Sequence, residues 1–205
     1  MLTSFQTSTL VHLLFQLSVT GITASAIKPQ SESLGVHLAI GLFILLVGLI
    51  FGLESTKIPL SVRFVMFMVF SVVNGVLMAT LARDATAADI QSALLYTIGT
   101  FVTMMTAGYL LHANRVNVQP LIFFTVLYSF AMALAIVYTI MFQVDQTTRQ
   151  YKRLAMVALF SLYIVIQTYY NLNKTHNDII QSTLAYYTDI IGIFQNSLQY
   201  LENAD

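Results

Sequence analysis

The stretch YYTDIIGIF, Tyr186–Phe194, sets one acid, Asp189, in the middle of an apolar run near the end of the chain. What that acid does depends on the solvent around the run, and composition supplies the solvent. The 205 residues are 57% hydrophobic and only 9% charged, whereas soluble domains carry about 25% charged residues. A chain with a mean hydropathy of +0.76 has too little polar surface to cover a globule in water. A lipid bilayer is therefore its expected partner. Formal net charge is zero, which gives no basic footprint for nucleic acid, and none is expected as a partner. The absence of cysteine excludes disulfides and thiolate metal sites.

Working outward from Asp189, a helix must run roughly 20 mostly apolar residues to cross a hydrocarbon core about 30 Å thick. Seven segments are expected to do so: 9–27, 34–53, 61–82, 90–111, 120–142, 154–172 and 179–201. Pro29, Pro59 and Pro120 all fall at span edges, where a missing backbone N–H costs little. No linker or low-complexity tract divides the chain, so one polytopic domain is expected. Ala24-Ser25-Ala26 resembles a signal-peptidase site, but residues 1–8 carry no Lys or Arg, and a retained first helix is the expectation. Basic residues divide four against five between the two sides if the spans alternate. That division leaves the orientation open, and the cluster Arg149-Lys152-Arg153 only favours its own side as the cytoplasmic one. Small residues at helical spacing, Gly41, Gly48 and Gly52 on the second span and Ser18, Gly21 and Ser25 on the first, are expected to pack within the chain.

Almost every charge lies at a span end or in a loop, including Lys28, Glu32, Lys174, Asp178, Asp84 and Asp89. Arg63, slightly inside the third span, is expected to snorkel to the interface. Asp189 alone sits near a span's midpoint. A charged Asp there costs about 2.5–3.5 kcal/mol on insertion scales, against about 1.36 kcal/mol per pH unit of proton binding. Gaining or losing a proton near neutral pH is then a close contest. Ser182, Tyr186, Asp189, Asn196 and Gln199 form one stripe on the last span. That polarity places the last helix centrally in an all-α bundle of seven transmembrane helices. Tyr163, Gln167, Tyr170 and Asn171 on the sixth span, with Ser71 and Asn74 on the third, complete an expected polar pathway. The plainer reading is a permanently neutral Asp189 that cross-links helices.

Phe160-Ser161-Leu162-Tyr163-Ile164, followed one span later by Tyr187-Thr188-Asp189-Ile190-Ile191-Gly192-Ile193-Phe194, resembles the transmembrane Bax inhibitor motif family. The phrase Val73-Asn74-Gly75 fits as well. The resemblance implies a passive, pH-modulated calcium or cation leak in intracellular or bacterial membranes, and in eukaryotes protection from cell death. It also implies a sensor made of two aspartates. Asp189 matches the second, while Gln167 stands where the first belongs. An acid–amide pair titrates as one group, unlike two carboxylates sharing a proton. No cofactor is expected. A tight calcium site takes six to eight oxygens, so calcium is expected only in transit, with Asp178, Asp84 and Asp89 either concentrating cations or simply solvated. His12, His37, His112 and His176 are scattered, without HExxH spacing, so neither a hydrolase nor a zinc site is expected. The rival class is a non-conducting interaction protein that restrains apoptosis by binding other membrane proteins.

Overall fold

The computed structural model describes residues 4–27, 36–142, 144–173 and 178–202. Lys28, Pro29, Glu32, Lys174 and His176, to which the sequence assigns span edges and loop positions, lie outside the described residues. The helices are α1 (Ser4–Ile27), α2 (Val36–Glu54), α3 (Leu60–Leu81), α4 (Ala87–Ala113), α5 (Gln119–Met141), α6 (Gln146–Asn173) and α7 (Ile179–Leu201).

Their ends have local causes. Pro59 is the residue before α3, and Pro120 lies in the first turn of α5, where neither breaks a helical hydrogen bond. Thr86 and Asp89 form a reciprocal capping box at the start of α4, with Thr86 N–H donating to Asp89 Oδ2 at 3.0 Å and Asp89 N–H to Thr86 Oγ1 at 3.2 Å. Asp89 is thus a helix cap. At the other end of α4, Arg115 takes a left-handed φ of 52°. Val116 N–H reaches Leu111 O and Arg115 N–H reaches His112 O, both at 3.0 Å. This is a Schellman ending, with an arginine where glycine is usual.

The expectation of seven transmembrane helices is overturned. Among the described residues five helices are long and apolar enough to cross a membrane: Phe5–Ile27, Leu60–Leu81, Ala87–Ala113, Gln119–Met141 and Gln146–Leu172. α2 counts here only as Gly41–Glu54, the part of it whose side chains are described, which is shorter than a span. In α7 the same polar stripe that suggested a central position lowers its apolarity below that of a span. Gln181, Ser182, Thr183, Thr188, Asp189, Asn196 and Gln199 all interrupt it. The chain is an all-α, multi-pass integral membrane protein; among the described residues it has seven helices, five of them long and apolar enough to be spans.

The helices gather into two compact units. Unit 1 holds α1, α2, α3 and α7 as far as Tyr187; unit 2 holds α4, α5, α6 and α7 from Thr188. In unit 1, α3 packs against both α1 and α2. Gly75 permits the α1 contact, since a Cβ there would lie 2.8 Å from the carbonyl oxygen of Thr20. In unit 2, α6 packs against α4 and α5. Gly108 meets the Val165 carbonyl in the same way, at 2.6 Å.

The small-residue faces behave differently from expectation. Gly52 lies against Met66, but Gly21, Gly41 and Gly48 face open space. The reason on α1 is that Thr9, Gln16 and Thr20 turn inward, which leaves Ser18, Gly21 and Ser25 outside.

Candidate functional site: a buried acid–amide pair

In unit 2, α6 and α7 are brought close by Gly192, where a Cβ would lie 2.5 Å from the ring of Phe160. One turn earlier on α7 sits Asp189, and two turns after Phe160 on α6 sits Gln167. Ile164, fully buried, occupies the turn between Phe160 and Gln167. These spacings put Asp189 and Gln167 on facing sides of the two helices.

Asp189 is 4% exposed, and the side-chain amide of Gln167 donates a hydrogen bond to its carboxyl. Two atoms of the pair have no protein partner, Asp189 Oδ2 and Gln167 Oε1. Both are acceptors. The pair therefore lacks a donor or a positive charge, and a buried acceptor without a partner costs about 1–3 kcal/mol. A proton on Oδ2 supplies the donor. Among the described residues there is no group of three or more His, Asp or Glu side chains able to hold a metal ion. One carboxyl and one amide fall well short of the six to eight oxygens of a calcium cage.

The other residues expected to line a pathway divide between the units. Tyr163, Asn171 and Asn196 belong to unit 2 with the pair, whereas Asn74, Ser182 and Tyr186 belong to unit 1. Several are already engaged elsewhere. The Tyr163 hydroxyl bonds Ser129 Oγ on α5 at 2.6 Å. Asn196 donates to Gly192 O at 2.7 Å and Asn74 to Phe70 O at 2.9 Å, each within its own helix. Ser182 and Tyr186 are buried, and Asn171 is half-buried on α6.

Arg63 does not snorkel. It is 3% exposed in unit 1. Its Nε donates to Leu53 O, the penultimate carbonyl of α2, at 2.8 Å, and its Nη1 pairs with Asp178. Asp178 in turn caps α7, accepting from Ile180 N–H at 2.9 Å and Gln181 N–H at 3.2 Å. Burial pushes the Asp178 carboxyl up, but the Arg63 guanidinium and those backbone N–H groups outweigh it and hold it below the usual carboxylate range. Gln181 Nε2 donates to Glu54 O at 2.7 Å, so one knot ties the end of α2, the start of α3 and the start of α7. Sequence reasoning missed it because Arg63 lies a single turn inside a span. Spacing in the sequence held no signal for a partner so distant in the chain.

Sequence reasoning also missed the polar face of α1. Thr9, Gln16 and Thr20 recur at intervals of seven and four, the spacing of one helix face. That was the available signal.

A helical membrane protein with several apolar spans and a buried acid–amide pair defines the class. The family model described as "Inhibitor of apoptosis-promoting Bax1" matches residues 2–205, and the chain belongs to that family. No curated protein matches it.

Proposed function

We propose that this chain is a membrane-resident inhibitor of apoptosis that acts by contact with other membrane proteins rather than by conducting ions. The observation that carries this reading is the family match over nearly the whole chain, to a model described by its inhibition of apoptosis-promoting Bax1. The side-chain geometry supports it. Asn74, Asn196 and Tyr163 spend their hydrogen bonds on carbonyls of their own helix or on a neighbouring hydroxyl, which leaves little to replace an ion's hydration shell.

Large apolar side chains on α1, α4 and α5 stand exposed, among them Ile22, Leu95, Phe123 and Phe130. They offer surface to lipid and to partner helices alike. Without a hydrophobic drive in lipid, partner choice rests on packing and hydrogen bonding between helices.

A second reading, a pH-modulated calcium or cation leak, rests on the Asp189–Gln167 pair. Two unpartnered buried acceptors attract a proton or a cation, and one can displace the other. Protonated, the carboxyl donates to the amide oxygen of Gln167 and seals the site; ionised, it draws cations and water.

The two readings separate in one experiment that pairs calcium flux from purified protein in liposomes with a cell-death assay of the same variants. Contact-based inhibition predicts flux no greater than from empty liposomes, and protection retained in Asp189→Asn. A leak predicts flux that rises with pH and that falls, together with protection, in Asp189→Asn.

A further inference from the structure

Unit 1 has a polar interior of its own, far richer than a membrane helix needs. Gln16 of α1 and Tyr187 of α7 are both fully buried, as is Ser71 of α3. The Tyr187 hydroxyl lies 2.5 Å from Thr20 Oγ1. Thr20 Oγ1 in turn is 3.1 Å from the carbonyl oxygens of both Gln16 and Ser71. Ser71 Oγ donates to Gln16 Oε1 at 2.6 Å and also bonds Tyr187. Every hydroxyl in this cluster is engaged. The exception is Gln16 Nε2, a buried amide nitrogen with two N–H groups and no partner in the protein.

Exchanging the amide's nitrogen and oxygen does not cure this. Nε2 then donates to Ser71, and Oε1 becomes the orphan. Either orientation leaves one buried polar atom unpaired, at a cost of about 1–3 kcal/mol. The ligand that answers it accepts from the amide in one orientation and donates to it in the other. It must also be uncharged, because Gln16, Ser71, Thr20 and Tyr187 bring only neutral groups. A cation would meet the N–H edge of the amide, and an anion would find no positive charge.

We propose that a bound water molecule occupies the core of unit 1 at the Gln16 amide, bridging it to the spare lone pairs of the Ser71 and Tyr187 hydroxyls. Three such partners match the usual complement of about three hydrogen bonds for a buried water. The site is independent of Asp189 and of the functional reading above. It explains how α1, an apolar span, can turn Gln16 inward without leaving its amide unpaired.

Radiolytic hydroxyl-radical labelling of the full chain in liposomes reads the site directly, because radicals made from a bound water attack side chains that bulk solvent cannot reach. Tyr187, fully buried, is expected to be labelled, and its labelling to fall about threefold or more in Gln16→Met, which removes the water's anchor. Complete protection of Tyr187 in the unaltered protein, or equal labelling in folded Gln16→Met, overturns the proposal. Should Gln16→Met not fold, an experimental structure decides. An ordered water within hydrogen-bond distance of the Gln16 amide is expected, and a dry amide in a map that shows other buried waters overturns the proposal.

Discussion

At the scale of single residues, charge is managed by two different devices. Arg63 and Asp178 neutralise each other, and Asp178 also caps α7. Asp189 has only an amide beside it. The first device predicts a pH dependence of stability. A carboxyl held below its unfolded value contributes stability above that value and loses it as pH falls through the lowered one. Asp178→Asn is therefore expected to lower stability at neutral pH by on the order of 3 kcal/mol, read as a lower melting temperature, because Arg63 is left buried with only a carbonyl. The gap to the unaltered protein should close as the sample is acidified below about pH 4. A gap that stays constant with pH, followed by thermal melting in detergent, would refute the ion pair.

The second device predicts that Gln167→Asp turns a single titration into two coupled steps. NMR or infrared titration of the carboxyl checks it, and an unchanged single step means the two side chains do not meet. Asp189 was legible in the sequence because an acid in an apolar run has few bland explanations. Arg63 was not, because its neutralising partner lies 115 residues away in the chain.

At the scale of helices, glycine marks where backbones touch, but only some glycines do so. Gly75 abuts the Thr20 carbonyl, while Gly21 faces open space. Gly75→Ala is expected to destabilise by about 1–3 kcal/mol, since a carbonyl on a packed helix cannot step aside. Gly21→Ala should be neutral or stabilising by up to about 1 kcal/mol through helix propensity. Parallel melts of the two variants test the pair, and equal effects would contradict the α1–α3 packing. The seven helices were legible from apolar runs and from proline at their edges. Which glycines carry contacts was not, because GxxxG spacing is the same on a face that packs and on a face that does not. Nor did the run lengths separate spans from helices. The polar stripe of α7 removes it from the set of spans.

At the scale of the whole molecule, α4, α5 and α6 are three consecutive spans. The turn after α4 and the turn before α6 must then lie on opposite sides of the membrane. The chain has no cysteine, so single cysteines introduced as Asn117→Cys and Thr147→Cys, both at exposed positions, report this cleanly. In sealed vesicles an impermeant maleimide should label one and not the other; labelling of both from outside would refute α5 as a span.

The composition alone pointed to a membrane, and the phrases around Tyr163 and Asp189 pointed to the family. Sequence could not say whether polar residues on different helices converge, because that depends on how each side chain spends its hydrogen bonds. The central claim is that this protein restrains apoptosis by contact and does not conduct. Calcium flux from purified protein in liposomes between about pH 5 and 8 tests it most directly. The account predicts flux indistinguishable from empty liposomes at every pH. Flux well above that background, rising with pH and abolished in Asp189→Asn, would contradict it.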